Sequence, residues 1–479
     1  MKYRVVALFT IGILAVGLGG CGSSSDEQSS GSTVDVPVGE SHIIYVAEDG
    51  DDEGDGTESD PYATIQKAVD NMAPGDEVIV EEGTYAPFTV TAAESGSENG
   101  WSMIHGADDA EVVISREVLT PAATEEEADQ VEDQVGIHMI NTSYISLYNF
   151  EVVGGTHGIY YESTGEQGEN ELSHIHISDC IVHDVHGTHG ICVYARNDLA
   201  PVTDLVIENN QVYDCTLGSS ESVVVNGNID GFSITGNVIH DNDNIGIDMI
   251  GFEGTAAHEE GTDCDNVFDA DFVRNGACYG NVVYNISADG NYAYLEDGEY
   301  DLCADGIYVD GGQDIEIYEN FIFNCDIGLE VATEHSPLDN EIFEVSGMKV
   351  HDNVIAGCVG WCGICFGGYD ADLGFTHDCE FYNNTLVDND TQFGVQRSYD
   401  NKIYNNVVVG GWTAMELSED IAPEDMDNAF RDNVWSVDDK KEVARSEALS
   451  GFTSLVEGKG SSYVPADEYI EIYEQLSED

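Results

Sequence analysis

Gly306-Ile307-Tyr308-Val309-Asp310 and, shortly after it, Ile317-Tyr318-Glu319-Asn320 hold the two signatures that decide the fold. The first is a glycine leading an alternating strand. It recurs as Gly158-Ile159-Tyr160, Gly190-Ile191-Cys192, Gly246-Ile247-Asp248, Gly328-Leu329-Glu330, Gly363-Ile364-Cys365 and Gly394-Val395-Gln396. The residue after each glycine is aliphatic and points inward, so its successor points outward. The second places an apolar residue three positions before an asparagine: Ile207 before Asn210, Ile234 before Asn237, Ile317 before Asn320, Val350 before Asn353, Phe381 before Asn384 and Ile403 before Asn406. Asn281 and Asn433 fit the same place. One asparagine per turn, stacked coil upon coil, makes an internal ladder, and asparagine tolerates the left-handed backbone of a tight turn. A further column of Val185, Cys215, Asn242, Cys325, Cys358 and Asn389 suits an interior turn, which puts Cys325 and Cys358 in the core.

The glycines recur mostly at 22 to 35 residues, with 60 between Gly246 and Gly306. Such spacing is not helical periodicity. Short β-branched strands with turns specify an all-β solenoid, a single-stranded right-handed parallel β-helix over residues 43–435. A helix predicted at Ala63 to Met72 caps the first open coil, because an uncovered sheet end invites aggregation. The segment from Asp420 to Asp479 is expected to cap the other end, with 436–479 as the C-terminal cap or tail.

Lys2 and Arg4 precede an apolar stretch from Val5 to Val16, and Leu18-Gly19-Gly20-Cys21 resembles a bacterial lipobox. That resemblance implies a signal peptide at 1–20, acylation of Cys21, and an acidic Ser/Gly tether at 21–42. The protein is then expected in the cell envelope, lipid-anchored at the outer membrane or cell surface, touching membrane through its anchor alone. The apolar run is too short to span a bilayer. Fourteen Lys and Arg stand against 94 Asp and Glu, a net charge of −80, and loss of Lys2 and Arg4 leaves −82. Such self-repulsion excludes nucleic acid and anionic membrane as partners. It fits saline surroundings, where screening relieves it, or a protein that gathers cations, above all Ca²⁺. Twelve cysteines in an exported chain point to disulfides. Cys264 and Cys278 bracket one insertion that a bridge would staple. A monomer is expected.

Tyr45-Val46-Ala47-Glu48-Asp49-Gly50, Pro61-Tyr62-Ala63-Thr64-Ile65-Gln66-Lys67-Ala68-Val69, Pro74-Gly75-Asp76-Glu77-Val78-Ile79-Val80 and Gly83-Thr84-Tyr85 form a recognisable opening. It resembles the N-terminal part of bacterial pectate-lyase-like β-helix proteins, including family nine polysaccharide lyases and some β-helix glycosidases. The resemblance implies the fold and a polysaccharide partner. It does not choose a reaction, because this architecture hosts lyases, hydrolases, epimerases and adhesins.

Sorting the glycine register by face puts Asp248, Asp310 and Glu330 on one outward face with Tyr308. Glu253, Glu334, His335 and Asp370 follow at the strand ends. Coil and strand spacings of about 4.8 and 6.6 Å set Asp248 and Asp310 roughly 8 Å apart on the diagonal. That suits an inverting glycosidase pair, in which one carboxyl is the acid and the other activates water. It also suits carboxylates bridged to a polyuronate through Ca²⁺. The long interval holds two loops, Phe252 to Asn275 and Ala288 to Asp305, expected to wall a groove and to offer Tyr292, Tyr294 and Tyr300 for sugar stacking. A lyase in this fold uses a Lys or Arg base; no Lys falls on the acidic face, and Arg397 is the nearest candidate. Asp241, Asp243 and Asp248 resemble the Ca²⁺-binding cluster of family nine lyases. His157 and His189, each within a Gly-Thr-His-Gly, leave a transition-metal site as an alternative, although their spacing matches no zinc pattern and stacked repeats account for it. The loop Asp49 to Asp55 reads as a solvated turn. Two functions stand: glycan cleavage by carboxylate-driven hydrolysis or Ca²⁺-assisted elimination, or a non-catalytic surface solenoid that binds glycan or mediates adhesion.

Overall fold

The computed structural model describes residues 42–258, 268–335, 343–370, 373–418, 427–436 and 459–477, all within the compact unit Pro37–Asp479. The signal segment, Cys21, the tether up to residue 41 and Cys264 lie outside the described residues. Each coil contributes one strand to each of three parallel sheets. Leu172–Ser178, Ile181–His183 and His189–Ala195 make one turn, and Val202–Glu208 begins the next. The sheets have 14, 12 and 11 strands and are called here base, side and front. Stacked in this order they form a right-handed parallel β-helix.

The aliphatic residue after each glycine is fully enclosed, as at Ile159, Ile191, Ile247, Ile307, Leu329 and Ile364. Inside the turn from base to side sheet runs the asparagine ladder. Nδ2 of Asn210, Asn237, Asn281, Asn320, Asn353, Asn384 and Asn406 each donates to Oδ1 of the asparagine in the following coil, ending at Asn433. The same Oδ1 accepts the preceding asparagine's backbone N–H, as Asn320 Oδ1 does from Asn281 N at 3.0 Å. The left-handed backbone belongs not to the ladder asparagine but to the residue before it: Asn209, Glu319, Asp352, Asn383 and Asn405 have φ between 52° and 57°. That residue makes the corner and frees the asparagine to point inward.

Two register details differ from the sequence reading. A whole coil lies between Gly190 and Gly246, with its strand at Val223–Gly227, because Ser222 stands where the glycine is expected. Gly394 pairs with outward Cys365 rather than with Gly363, so Gln396 stands two places further along than the glycine pattern implies.

The N-terminal helix is shorter than expected, Ile65–Val69, with Thr64 as N-cap and Ile65, Ala68 and Val69 buried on the first coil. Asp52 accepts from the backbone N–H groups of Ala63 and Thr64 and from the Thr64 hydroxyl, so the acidic turn anchors this cap. Of the segment expected to cap the C-terminal end, residues 420–426, 437–458 and 478–479 lie outside the described residues, and the described part ends in the helix Asp467–Leu476. It lies along the flank, where Tyr473 packs on Phe321 and Phe323 in a cluster with Val354, Val387 and Val409 on the outer face of the side sheet. The ten described cysteines are all free thiols. Cys325, Cys358 and Cys278 are buried in the core, where they pack as small apolar residues.

Candidate functional site

On the outer face of the front sheet one column of rung partners runs Tyr160, Cys192, Val224, Asp248, Tyr308, Glu330 and Cys365. The next outward column places Asp310 two residues beyond Tyr308 and level with Ala332. Asp310 is therefore diagonal to both Asp248 and Glu330, at roughly 8 Å by strand geometry. Asp305, which the sequence reading passed over, opens the strand of Tyr308 and joins the patch from the corner. Although they face outward, Asp248, Asp305, Asp310 and Glu330 are only 2, 3, 7 and 9% exposed.

Little in the protein satisfies these acids. Asp248 Oδ1, Asp305 Oδ1 and the Tyr308 hydroxyl are buried without a hydrogen-bond partner among the described residues. Native proteins leave few such atoms, and those that remain call for an explanation. Burial, with the charges of Glu221 and Asp310 close by, pushes the Asp248 carboxyl well above the ordinary carboxylate range. Burial and the charge of Glu330 do the same to Asp305. Glu330 is raised to about 8 by burial and by Glu334, against a weak contact from the Cys365 thiol at 3.6 Å. Asp310 is the exception: it accepts from Glu334 N at 3.0 Å, and His335 Nε2 stands 3.1 Å from its other oxygen. Burial lowers the His335 pKa, but Asp310 outweighs it and the net shift is upward. His335 is the one cationic partner of these carboxylates among the described residues.

The two insertions are pinned by buried aspartates at their necks. Asp271 accepts from Gly254 N and Ala256 N in the first loop, both at 2.6 Å. Asp326 takes Ala288 N and Ala304 N at the two ends of the second. The second loop brings Tyr294, rather than Tyr292, toward the patch, within reach of the charges of Glu221 and Glu334. Tyr292 lies against Gly218 and near Asp243, and Tyr300 is exposed. Tyr369, also missed, stands exposed at the rim and feels Glu334, Asp370 and Glu330. Glu253 accepts from Asn226 Nδ2 and neighbours Asp248 and His335.

Two expectations do not hold. Arg397 is stacked 3.9 Å from the Phe375 ring centroid and donates to the Leu373 carbonyl, which holds the guanidinium against a neighbouring loop instead of the acidic face. Asp241, Asp243 and Asp248 do not converge. Asp241 is bound by His240 Nδ1 and Asn285 Nδ2, Asp243 accepts from Leu217 N, and Asp248 faces Glu221 and Asp310. Strand alternation and the corner between side and front sheets send these neighbours in sequence to different surfaces. The expected Ca²⁺ cluster therefore does not fit the residues present. Among the described residues, the one trio of His, Cys, Asp or Glu with donor atoms within 4.8 Å of each other is His157, His189 and Cys192, on the N-terminal half of the same face.

Residues 44–246 match a family model described as Pel9A-like, right handed beta helix region, and residues 263–441 match that of periplasmic copper-binding protein (NosD). The chain is 34% identical to the uncharacterized protein YwoF of Bacillus subtilis over 413 residues, covering 83% of this chain and 81% of that protein. It is 30% identical over 120 residues to pectate lyase PEL9 of Emericella nidulans, 24% of this chain and 29% of that one. Among solved structures it is similar to the GH136 lacto-N-biosidase from Eubacterium ramulus, with a TM-score of 0.52, 15% identity, and coverage of 83% of this chain and 68% of that one. At that identity the likeness is one of fold.

Proposed function

The chain belongs to the family of Bacillus subtilis YwoF and is a pectate-lyase-like β-helix protein, and on that premise we propose that it cleaves a polysaccharide outside the cytoplasm through its buried front-sheet carboxylates. Acylated Cys21 would hold it at the envelope. The observation that carries the reading is Glu330, a buried acid pushed up to about 8, diagonal to Asp310, which accepts from Glu334 N and lies 3.1 Å from His335 Nε2. A protonated carboxyl facing an accepting carboxylate at roughly 8 Å is the arrangement of inverting hydrolysis. Glu330 donates its proton to the glycosidic oxygen as the bond to the anomeric carbon breaks. Asp310 takes a proton from the water that attacks the opposite face of that carbon, with His335 holding Asp310 in place. Asp248 and Asp305 line the floor, Tyr308 stands between Asp248 and Glu330 in their column, and Tyr294, Tyr369, Glu253 and Asp370 border the opening.

Elimination is the second reading, favoured by the pectate lyase among the relatives. It is weakened by a face whose one cationic partner among the described residues is His335, since a uronate carboxylate entering there meets repulsion. The test incubates the protein with neutral and uronate glycans, with and without Ca²⁺, and reads new reducing ends and the absorbance of unsaturated products. Reducing ends without unsaturation, lost at least about 100-fold in Glu330→Gln, are expected. Unsaturated products would replace hydrolysis by elimination. No product under any condition, with glycan binding unchanged in Asp310→Asn, would leave a surface binding solenoid and end the enzymatic reading.

A further inference from the structure

We propose that His157, His189 and Cys192 bind a single thiophilic transition ion, Zn²⁺ or Cu⁺. One nitrogen of each imidazole and the Cys192 sulfur lie within 4.8 Å of one another, and all three residues are buried. Adjacent coils supply them: His157 and His189 are rung partners, and Cys192 pairs with Tyr160 further along the same two strands. Two imidazoles with a thiolate form a donor set that suits Zn²⁺ and Cu⁺ and not Ca²⁺ or Mg²⁺. Metal–nitrogen bonds of about 2.0 Å and a metal–sulfur bond of about 2.3 Å bring ligand atoms to roughly 3.5 Å apart, so an ion would draw the trio together by small ring and thiol rotations.

The surroundings hold the rings as ligands are held. Glu221 Oε2 is 3.1 Å from His189 Nε2 and the Tyr194 hydroxyl is 3.2 Å from the same atom, while His189 Nδ1 is buried without a partner. Thr156 Oγ1 stands 3.0 Å from His157 Nδ1, which leaves Nε2 for an ion. A carboxylate on the far nitrogen of a ligating histidine fixes its tautomer and orientation. Arg196 donates to the Tyr160 hydroxyl at 2.9 Å and lies 4.7 Å from the centroid of the Tyr194 ring, and both tyrosines pack on Cys192 as a roof. Repetition of Gly-Thr-His-Gly explains one histidine above another. It does not explain a thiol beside them, or a carboxylate on the far nitrogen. The trio lies outside residues 263–441, so the match to a copper-binding family model lends it no support.

The experiment titrates the full chain, stripped with a chelator, with Zn²⁺ and, anaerobically, with Cu⁺, each against a chromophoric competitor. Ca²⁺ controls for the acidic surface. One tight equivalent is expected, weakened at least about 100-fold in Cys192→Ser and in His157→Gln. Glu221→Gln, acting through His189, should weaken it about 10–100-fold. Direct competition between the two ions names the occupant. Co²⁺ in the site should give a thiolate-to-metal charge-transfer band that Cys192→Ser abolishes. Equal binding by wild type and Cys192→Ser, or no uptake beyond that of Ca²⁺, overturns the site. Should a variant not fold, X-ray absorption of the zinc-loaded wild type decides: a coordination shell without sulfur overturns the proposal equally.

Discussion

The asparagine ladder and the acidic patch are both rows of buried polar side chains stacked coil on coil, and they differ in one respect. Within the ladder the amide groups are satisfied: Asn320 donates to Asn353 and to the Cys278 carbonyl, and its oxygen accepts two N–H groups from Asn281. The patch stacks like charges and leaves Asp248 Oδ1, Asp305 Oδ1 and the Tyr308 hydroxyl without partners. A satisfied buried row specifies a fold; one left unsatisfied among the described residues stores a cost that marks a functional site. Burial alone therefore does not separate structural from functional residues on this solenoid. Satisfaction does.

Breaking the ladder should give the largest effect. Asn320→Ala strands the Asn281 donors and the Asn353 and Cys278 acceptors, and should cost about 3–5 kcal/mol, read as a lower urea midpoint. The patch should respond with the opposite sign. Glu330→Gln removes a charge that the fold resists and should stabilise by about 1–3 kcal/mol at pH 9, while glycan cleavage falls. Loss of stability in that variant would mean that the carboxylate supports the coil. The comparison sharpens with pH. Folded Glu330 keeps its proton to about 8, whereas the unfolded chain releases it near 4.5, so between these values the folded state binds more protons and stability falls as pH rises. Asp248 and Asp305 shift in the same direction. Wild-type thermal midpoints should decline across that window, and the decline should be shallower in Glu330→Gln. Asp352 behaves inversely. Burial raises its pKa, but His351 and Ser462 outweigh that and bring it to about 2, so its contribution is lost only as pH falls from the ordinary carboxylate range through about 2. The smallest effect belongs to a loop neck. Asp326→Asn keeps an acceptor for Ala288 N and Ala304 N and should cost about 1 kcal/mol or less, with KM raised more than kcat is lowered.

The inward columns were legible because every coil repeats them under the same packing constraint. Asp248, Asp310 and Glu330 followed by simple alternation. Asp305 and Glu221 did not, because each precedes the glycine position at a corner, where alternation breaks; yet His157 and His189 occupy that same outward position, and extending their column would have found both. The coil at Val223–Gly227 was missed because serine replaces the glycine, and a marker residue is not the constraint itself. The flank docking of the last helix had a signal in Phe321-Ile322-Phe323, three large apolar residues in a row, which requires both faces of that strand to be covered.

That last helix also bears on how the molecule is made. Coils can settle one after another as synthesis proceeds, each using its predecessor as template. The Phe321 and Phe323 stripe stays wet until Tyr473 arrives, some hundred and fifty residues later. Wherever folding begins, this flank closes only once the C-terminal helix has been made, a late clasp that distinguishes a finished chain from one still growing.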